Sequence, residues 1–359
     1  MEKRDEIQQT LSNAIIDNGY NLIANIACRV GKCKITLDTL NSKDNIIIAY
    51  PEKHIKDSWT KDVKTWKFKG KKIKYTTYKS FKKLSIGADI LVLDEVHTIS
   101  KAQLIVIANY IKNFNIAKVI GLTGTLTPET QLELFQALGL EVKVLYTNEQ
   151  AIADGVITDY RITVKTVPLS TTKDIVVKWK GGEFTTSEKG SFDYITQKIE
   201  SENNPIRRKM LRLQRMGIIK KSKAKINLTK EIIKELQDKR VLVFTGLIEV
   251  ADGLGIDSFH SKSKIDCSQD FISGKTSKLA VVRQLNTGVT FKSLNTAIIN
   301  FFDSNAENMA QKISRITCME YDNTEKIANI VIISSNEPQE KIWLDKALSF
   351  FDINKIKYE

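Results

Sequence analysis

From Asn21 onward, short dense apolar blocks alternate with longer stretches in which apolar residues recur at helical spacing. The blocks NLIANIA (21–27), NIIIAY (45–50), IKYTTY (73–78), ADILVLDEV (88–96) and AKVIGLTGT (117–125) predict strands. The amphipathic stretches 53–66 and 102–114 predict helices, with Ser100 placed to cap the second. Strands apolar on both faces and joined by crossover helices predict a parallel sheet covered on both sides.

The pattern changes between about residues 171 and 237. WKGGEF (179–184) predicts a tight turn between extended pieces, and PIRRKMLRLQRMGIIKKSKAK (205–225) predicts a basic helix opened by Pro205. Its charges either face a phosphate backbone, or are merely solvated while Met210, Leu211 and Leu213 pack on a lobe. Alternation resumes with RVLVFTG (240–246), KLAVVRQL (278–285), NTAIINFF (295–302) and KIANIVIIS (326–334), with helical segments at 269–274 and 305–317 and a last helix from Pro338. The fold class expected is α/β, two parallel-sheet units joined by a helical connector: a first lobe over 1–165, a basic connector or insertion over 166–237, and a second lobe over 238–359.

Length supports this division, since 359 residues at about 150 per domain give two to three domains. A hydrophobic content of 42% excludes disorder as the main state. No apolar run is long enough to span a bilayer, and the start, MEKRDEIQQ, lacks the apolar core of a signal peptide, so a cytoplasmic protein is expected, in the host cytoplasm if the chain is viral. Four cysteines, none spaced as a zinc knuckle, argue for reduced thiols. The net charge of +13 has two readings: the lysine-rich surface of a protein from an AT-rich genome, or a groove for a polyanion.

Two segments carry candidate chemistry. Gly31 and Lys32 stand at a strand-to-helix junction, where free backbone N–H groups and a lysine can meet phosphate oxygens, although Arg29 holds a frequent glycine position and Cys33 stands where a Mg²⁺-binding hydroxyl belongs. Alone, this GKC is weak. ILVLDEVH ends an apolar strand in Asp94, Glu95 and His97, at the rim where open α/β sheets bind ligands. One carboxylate there can hold Mg²⁺ through water while its neighbour deprotonates an attacking water.

Taken in order, GK, DEVH, GLTGT (121–125), VLVFTG, LNTGVTF (285–291) and QKISR (311–315) resemble the motif series of a superfamily 2 helicase core of the DExH type, over nearly the whole chain. AYPEKHIKDSWTKDVKTW (49–66) and YTNEQAIADGVITDYRI (146–162) resemble segments of phage-type members with Snf2-like or UvsW-like relatives. The resemblance implies two RecA-like lobes with ATP and Mg²⁺ as cofactors, and an ATP-dependent helicase or translocase whose partner is nucleic acid, DNA more than RNA, alongside replication or recombination proteins. It assigns Lys32 to the β and γ phosphates, Asp94 to the Mg²⁺ shell and Glu95 to the attacking water. Gln311 and Arg315 would face the γ-phosphate, while Arg29, Gly31 and Cys33 would line the phosphate loop. His97, Thr123 and Thr125 would couple nucleotide state to movement. Gln8 resembles the upstream glutamine that reads adenine, its alternative being a solvated helix face. Pro51, Thr77, Tyr78, Thr245, Gly246, Thr287 and Gly288 would grip the strand.

Two departures bear on turnover. Cys318 stands where the family carries a second arginine, a group that contributes about 10³ to 10⁵ in rate. The Cys33 thiol is a poor ligand for a hard cation. A hydrolysis-impaired binding or annealing module with the same fold is therefore the alternative expected function.

Overall fold

A computed structural model of the chain describes residues 2–70, 72–179, 181–263, 265–282, 291, 293–319 and 326–359. Its contacts divide into two compact units, the first carried by Met1–Asp159 with a stretch beginning at Thr317, the second by Tyr160–Leu285, Phe291–Ile316 and Lys326–Glu359.

In the first unit, α1 (Glu2–Asp17) leads into β1 (Leu22–Ile26), α2 (Lys32–Thr39), β2 (Asn45–Tyr50), α3 (Ile55–Thr65), β3 (Lys72–Thr77) and β4 (Ile90–Asp94). Next come α4 (Lys101–Asn113), β5 (Lys118–Thr123), α5 (Pro128–Leu138), β6 (Glu141–Tyr146) and α6 (Asn148–Ala153). The strands form one sheet in the order β3-β2-β4-β5-β1-β6, every neighbouring pair parallel. Their continuous apolar sequences reflect burial on both faces. Leu22, Ile46, Ile48, Ile90 and Val92 enter a core with Leu11 and Ile15 of α1 and Ile55 and Trp59 of α3. Ile23, Ile47, Leu91 and Leu93 enter another with Leu104 and Ile107 of α4 and Leu134 of α5. Ser100 caps α4 through a reciprocal box with Gln103. Because the strands run parallel, β1, β2, β3, β4 and β5 all exit at one edge of the sheet.

The second unit continues with β7 (Asp159–Val167), β8 (Ile175–Trp179), β9 (Gly182–Thr186), α7 (Glu188–Ser201), α8 (Pro205–Lys220) and α9 (Lys223–Glu235). It is completed by β10 (Val241–Thr245), α10 (Ile248–Asp252), β11 (Asp257–Phe259), α11 (Cys267–Ser273), β12 (Lys278–Val282), β13 (Thr296–Ile299), α12 (Ala306–Ser314), β14 (Ile327–Ser335), α13 (Pro338–Ala347) and β15 (Ile356–Tyr358). A seven-stranded sheet has the order β11-β12-β10-β13-β14-β7-β15, and β8 and β9 form a separate antiparallel hairpin at the expected WKGGEF turn.

The boundary expected at residue 165 falls inside β7, a strand of the second sheet, and the stretch expected as connector packs within the second unit. The basic stretch 205–225 is two helices rather than one. Buried Glu188 is the reason: its carboxylate accepts the Ser222 hydroxyl at 3.1 Å and the Lys223 N–H at 2.7 Å, drawing the turn inward. Below that turn, Lys225 and Glu340 form a fully buried ion pair, with Glu340 also accepting the Ser335 N–H at 2.8 Å.

Candidate functional site

The loop between β1 and α2 is held in an unusual backbone conformation. Arg29 has φ 69° and Gly31 φ 105°, both in the left-handed region, which explains why a glycine is common where Arg29 stands. At Gly31 there is no room either, because an added Cβ would lie 2.4 Å from Gln8 Nε2. Helix α1 fastens the loop from outside: Arg4 Nη2 donates to the Arg29 carbonyl at 2.6 Å and Gln8 Nε2 to the Val30 carbonyl at 2.7 Å. Gln8 is thus buried against this loop rather than solvated.

Lys32 opens α2 from this loop, and its Nζ lies 3.9 Å from Glu95 Oε1 at the exit of β4. Glu95 also sits in the left-handed region, at φ 51° and ψ 55°. That turn brings its carboxylate back toward the loop. Gly124, past β5, permits the close approach: a Cβ there would stand 2.5 Å from Cys28 Sγ and 3.0 Å from Lys32 Nζ. Burial works against the Lys32 charge, but Glu95, Cys28 and Asp94 outweigh it and hold the ammonium protonated.

Asp94 is 7% exposed. Burial and the adjacent Glu95 push its carboxyl up to about 7, against opposing contributions from Trp59, Lys32 and the Glu95 N–H. Trp59 Nε1 of α3 donates to Asp94 Oδ2 at 2.8 Å, and the Tyr78 hydroxyl donates to the Asp94 carbonyl at 2.6 Å. One α3 turn from Trp59, Asp62 accepts a hydrogen bond from the Cys33 thiol, which burial and the carboxylates of Asp94 and Asp62 keep protonated. On the far side, the Thr123 hydroxyl donates to the Thr125 carbonyl at 2.7 Å, which leaves its oxygen to accept from His97 Nδ1 at 3.1 Å. Glu95 Oε2 faces the same ring nitrogen at 3.6 Å. His97 therefore links the acidic loop to the exit of β5.

The first unit thus gathers Gln8, Arg29, Gly31, Lys32, Cys33, Asp94, Glu95, His97, Thr123 and Thr125 at one edge of its sheet. Pro51 and Thr77 follow β2 and β3 at that edge. Tyr78 corrects its expected role: 3% exposed and committed to the Asp94 carbonyl, it supports the acidic loop and offers no surface to a polymer. In the second unit, Thr245, Gly246, Gln311 and Arg315 line one cleft of about 570 Å³ with Lys220 and Lys312. Thr287 and Gly288 lie outside the described residues. Cys318 is buried, and its backbone carbonyl accepts the Thr158 hydroxyl at 3.1 Å.

The first-unit loop suits a polyphosphate, placing the start of α2 beside a protonated lysine. For a divalent cation, no group of three or more His, Cys, Asp or Glu among the described residues is placed to hold one. The residues fit Mg²⁺ carried on phosphate oxygens and water with Asp94 as the protein's contribution, the usual habit of that ion. Sequence reasoning missed Trp59, Asp62 and Gly124. Trp59 and Asp62 lie in the amphipathic stretch 53–66 and Gly124 in GLTGT, but the linear pattern assigned a contact to none of them.

No protein-family model and no curated protein matches the chain. Solved structures do. Dbp5 of S. cerevisiae, bound to RNA and ADP BeF3, is 11% identical with a TM-score of 0.56, over 95% of this chain and 85% of that one. Helicase Lhr of Mycobacterium smegmatis, bound to ssDNA and AMP-PNP, is 12% identical with a TM-score of 0.54 over 96% of this chain, which spans 47% of Lhr. The Hef helicase domain of Pyrococcus furiosus is 13% identical with a TM-score of 0.49, over 95% of this chain and 96% of that one. The first two carry the fold: two parallel-sheet α/β units of the tandem RecA-like kind.

Proposed function

We propose that this chain is an ATP-dependent nucleic-acid helicase or translocase, acting on DNA in preference to RNA and working beside replication or recombination proteins. The observation that carries the reading is the Lys32 ammonium 3.9 Å from Glu95, with Asp94 adjacent, at the start of the helix that opens from the loop after β1. Two structural relatives of this fold are bound to adenine nucleotide analogues together with ssDNA or RNA. The preference for DNA rests on the resemblance of residues 49–66 and 146–162 to phage-type members.

Lys32 binds the β and γ phosphates, and the loop N–H groups orient them. Bound Mg²⁺ supplies charge neutralisation on the phosphates, with Asp94 as its anchor. Glu95 takes the proton of the attacking water, and His97 relays the state of the acidic loop to Thr123 and Thr125. Gln8 positions the loop through Val30, and the resemblance assigns it to adenine. The resemblance further assigns Gln311 and Arg315 to the γ-phosphate, and Pro51, Thr77, Thr245 and Gly246 to the strand. The +13 charge provides the electrostatic share of polymer binding.

ATPase assays without polymer and with single-stranded DNA, duplex DNA or RNA test this. Stimulation by a polymer, lost in Glu95→Gln, is expected. Wild-type turnover no faster than that variant's would eliminate the enzyme. The second reading, a binding or annealing module with impaired hydrolysis, draws on the Cys33 thiol being given to Asp62. Cys33→Ser should raise turnover several-fold in a weakened enzyme, and leave a binding-only protein at background.

A further inference from the structure

Helix α3 begins just after the loop at Pro51 and reaches the heart of the site with two residues of one face. Trp59 and Asp62 are three apart and project together. Trp59 is fully buried, its ring in the core with Ile55 and Val63, yet its one polar atom is not in that core: Nε1 meets Asp94 Oδ2 at 2.8 Å. Asp62 meets the Cys33 thiol on the opposite wall. One rigid turn of helix thereby touches the acid at the exit of β4 and the second residue of α2.

A buried indole N–H directed at a carboxylate fixes which oxygen is occupied and which way the other points. Tyr78 holds the main chain of the same residue. The side chain of Asp94 thus keeps one rotamer before any ligand arrives, and that preorganisation is what a weakly dehydrating cation on a phosphate requires. The thiol, engaged by Asp62, leaves this carboxylate as the principal protein contribution on that side.

We propose that Trp59 is a positioning residue for divalent-cation binding, orienting the Asp94 carboxylate through its indole N–H, so that α3 connects the loop at Pro51 to the metal side of the nucleotide site. The inference rests on the nucleotide reading above. A hydrogen bond to a charged acceptor contributes enough that its loss weakens Mn²⁺ affinity about tenfold or more.

The test titrates Mn²⁺ into the full chain in the presence of a non-hydrolysable ATP analogue and follows free Mn²⁺ by electron paramagnetic resonance. Trp59→Phe should bind Mn²⁺ about tenfold more weakly than wild type, with Mn²⁺-free analogue binding unchanged. Replacing Trp59 by benzothienylalanine, which keeps the shape and exchanges N–H for sulfur, should give the same loss should the phenylalanine variant fold poorly. In the Asp94→Ala background, which removes the acceptor that Trp59 orients, Trp59→Phe should have an effect of no more than about twofold. Equal losses with and without the Asp94 carboxylate, or full affinity in the sulfur isostere, would overturn the proposal alone. Absence of analogue binding by wild type would instead remove the nucleotide reading and this inference with it.

Discussion

Replacing Asp94 by asparagine should make the protein more stable at pH 8 while abolishing its metal-dependent chemistry. The carboxyl is 7% exposed, and burial together with Glu95 raises it from 3.8 to about 7. Between about pH 4 and 7 the folded chain holds a proton that the unfolded chain has released, so this group's contribution to stability falls as pH rises through that window. It is neutral below about pH 4 and fully unfavourable above about pH 7. A shift of about three pKa units corresponds to an upper limit of about 4 kcal/mol. Asparagine cannot ionise, still accepts the Trp59 N–H, and removes that penalty. Lys32 loses one anionic neighbour in return, which reduces the net gain to about 2 kcal/mol. For a unit of this size that is a rise of about 4 to 8 °C in melting temperature. Calorimetry of wild type and Asp94→Asn at pH 4.5 and pH 8, in metal-free buffer, reads it directly. The gain should appear at the higher pH and fall to about a quarter of it or less at the lower. A variant no more stable at pH 8, or a difference that ignores pH, would refute the electrostatic account of this site.

Two further perturbations probe its supports. Gly31→Ala places a Cβ 2.4 Å from Gln8 Nε2 at φ 105°, so the first unit should lose about 1 to 3 kcal/mol and nucleotide affinity should drop at least about tenfold. Melting and binding indistinguishable from wild type would show that the loop relaxes freely. Lys225→Met leaves Glu340 buried with the Ser335 N–H but no cation, a loss of about 3 to 5 kcal/mol in urea unfolding of the second unit. Adding Glu340→Leu should restore most of it, and a single variant within about 1 kcal/mol of wild type would contradict the pairing.

Much of the first sheet was legible because fully buried parallel strands have no polar face: residues 45–50 and 88–96 could hardly be anything else. The same rule hid β6, an edge strand in which Glu141 and Val144 are exposed and Lys143 is half-buried. Likewise, Pro205 announced α8, but its end after Lys220 depends on Glu188, far earlier in the chain.

At the candidate site, local order dictated the loop before α2 and the acids after β4, because strand exits in a parallel sheet share an edge whatever their separation in sequence. That Lys32 and Glu95 would lie on one rim followed from pattern alone. The tertiary structure alone determined how they are held. Tyr78 under the acidic loop, Gln8 against Val30, Trp59 on Asp94 and Asp62 on Cys33 are contacts between segments that hydrophobic periodicity places on helices and strands without specifying the partner of a polar atom. Apolar burial is nondirectional and leaves a repeating trace in a sequence. A hydrogen bond depends on one atom meeting another, and only packing decides which.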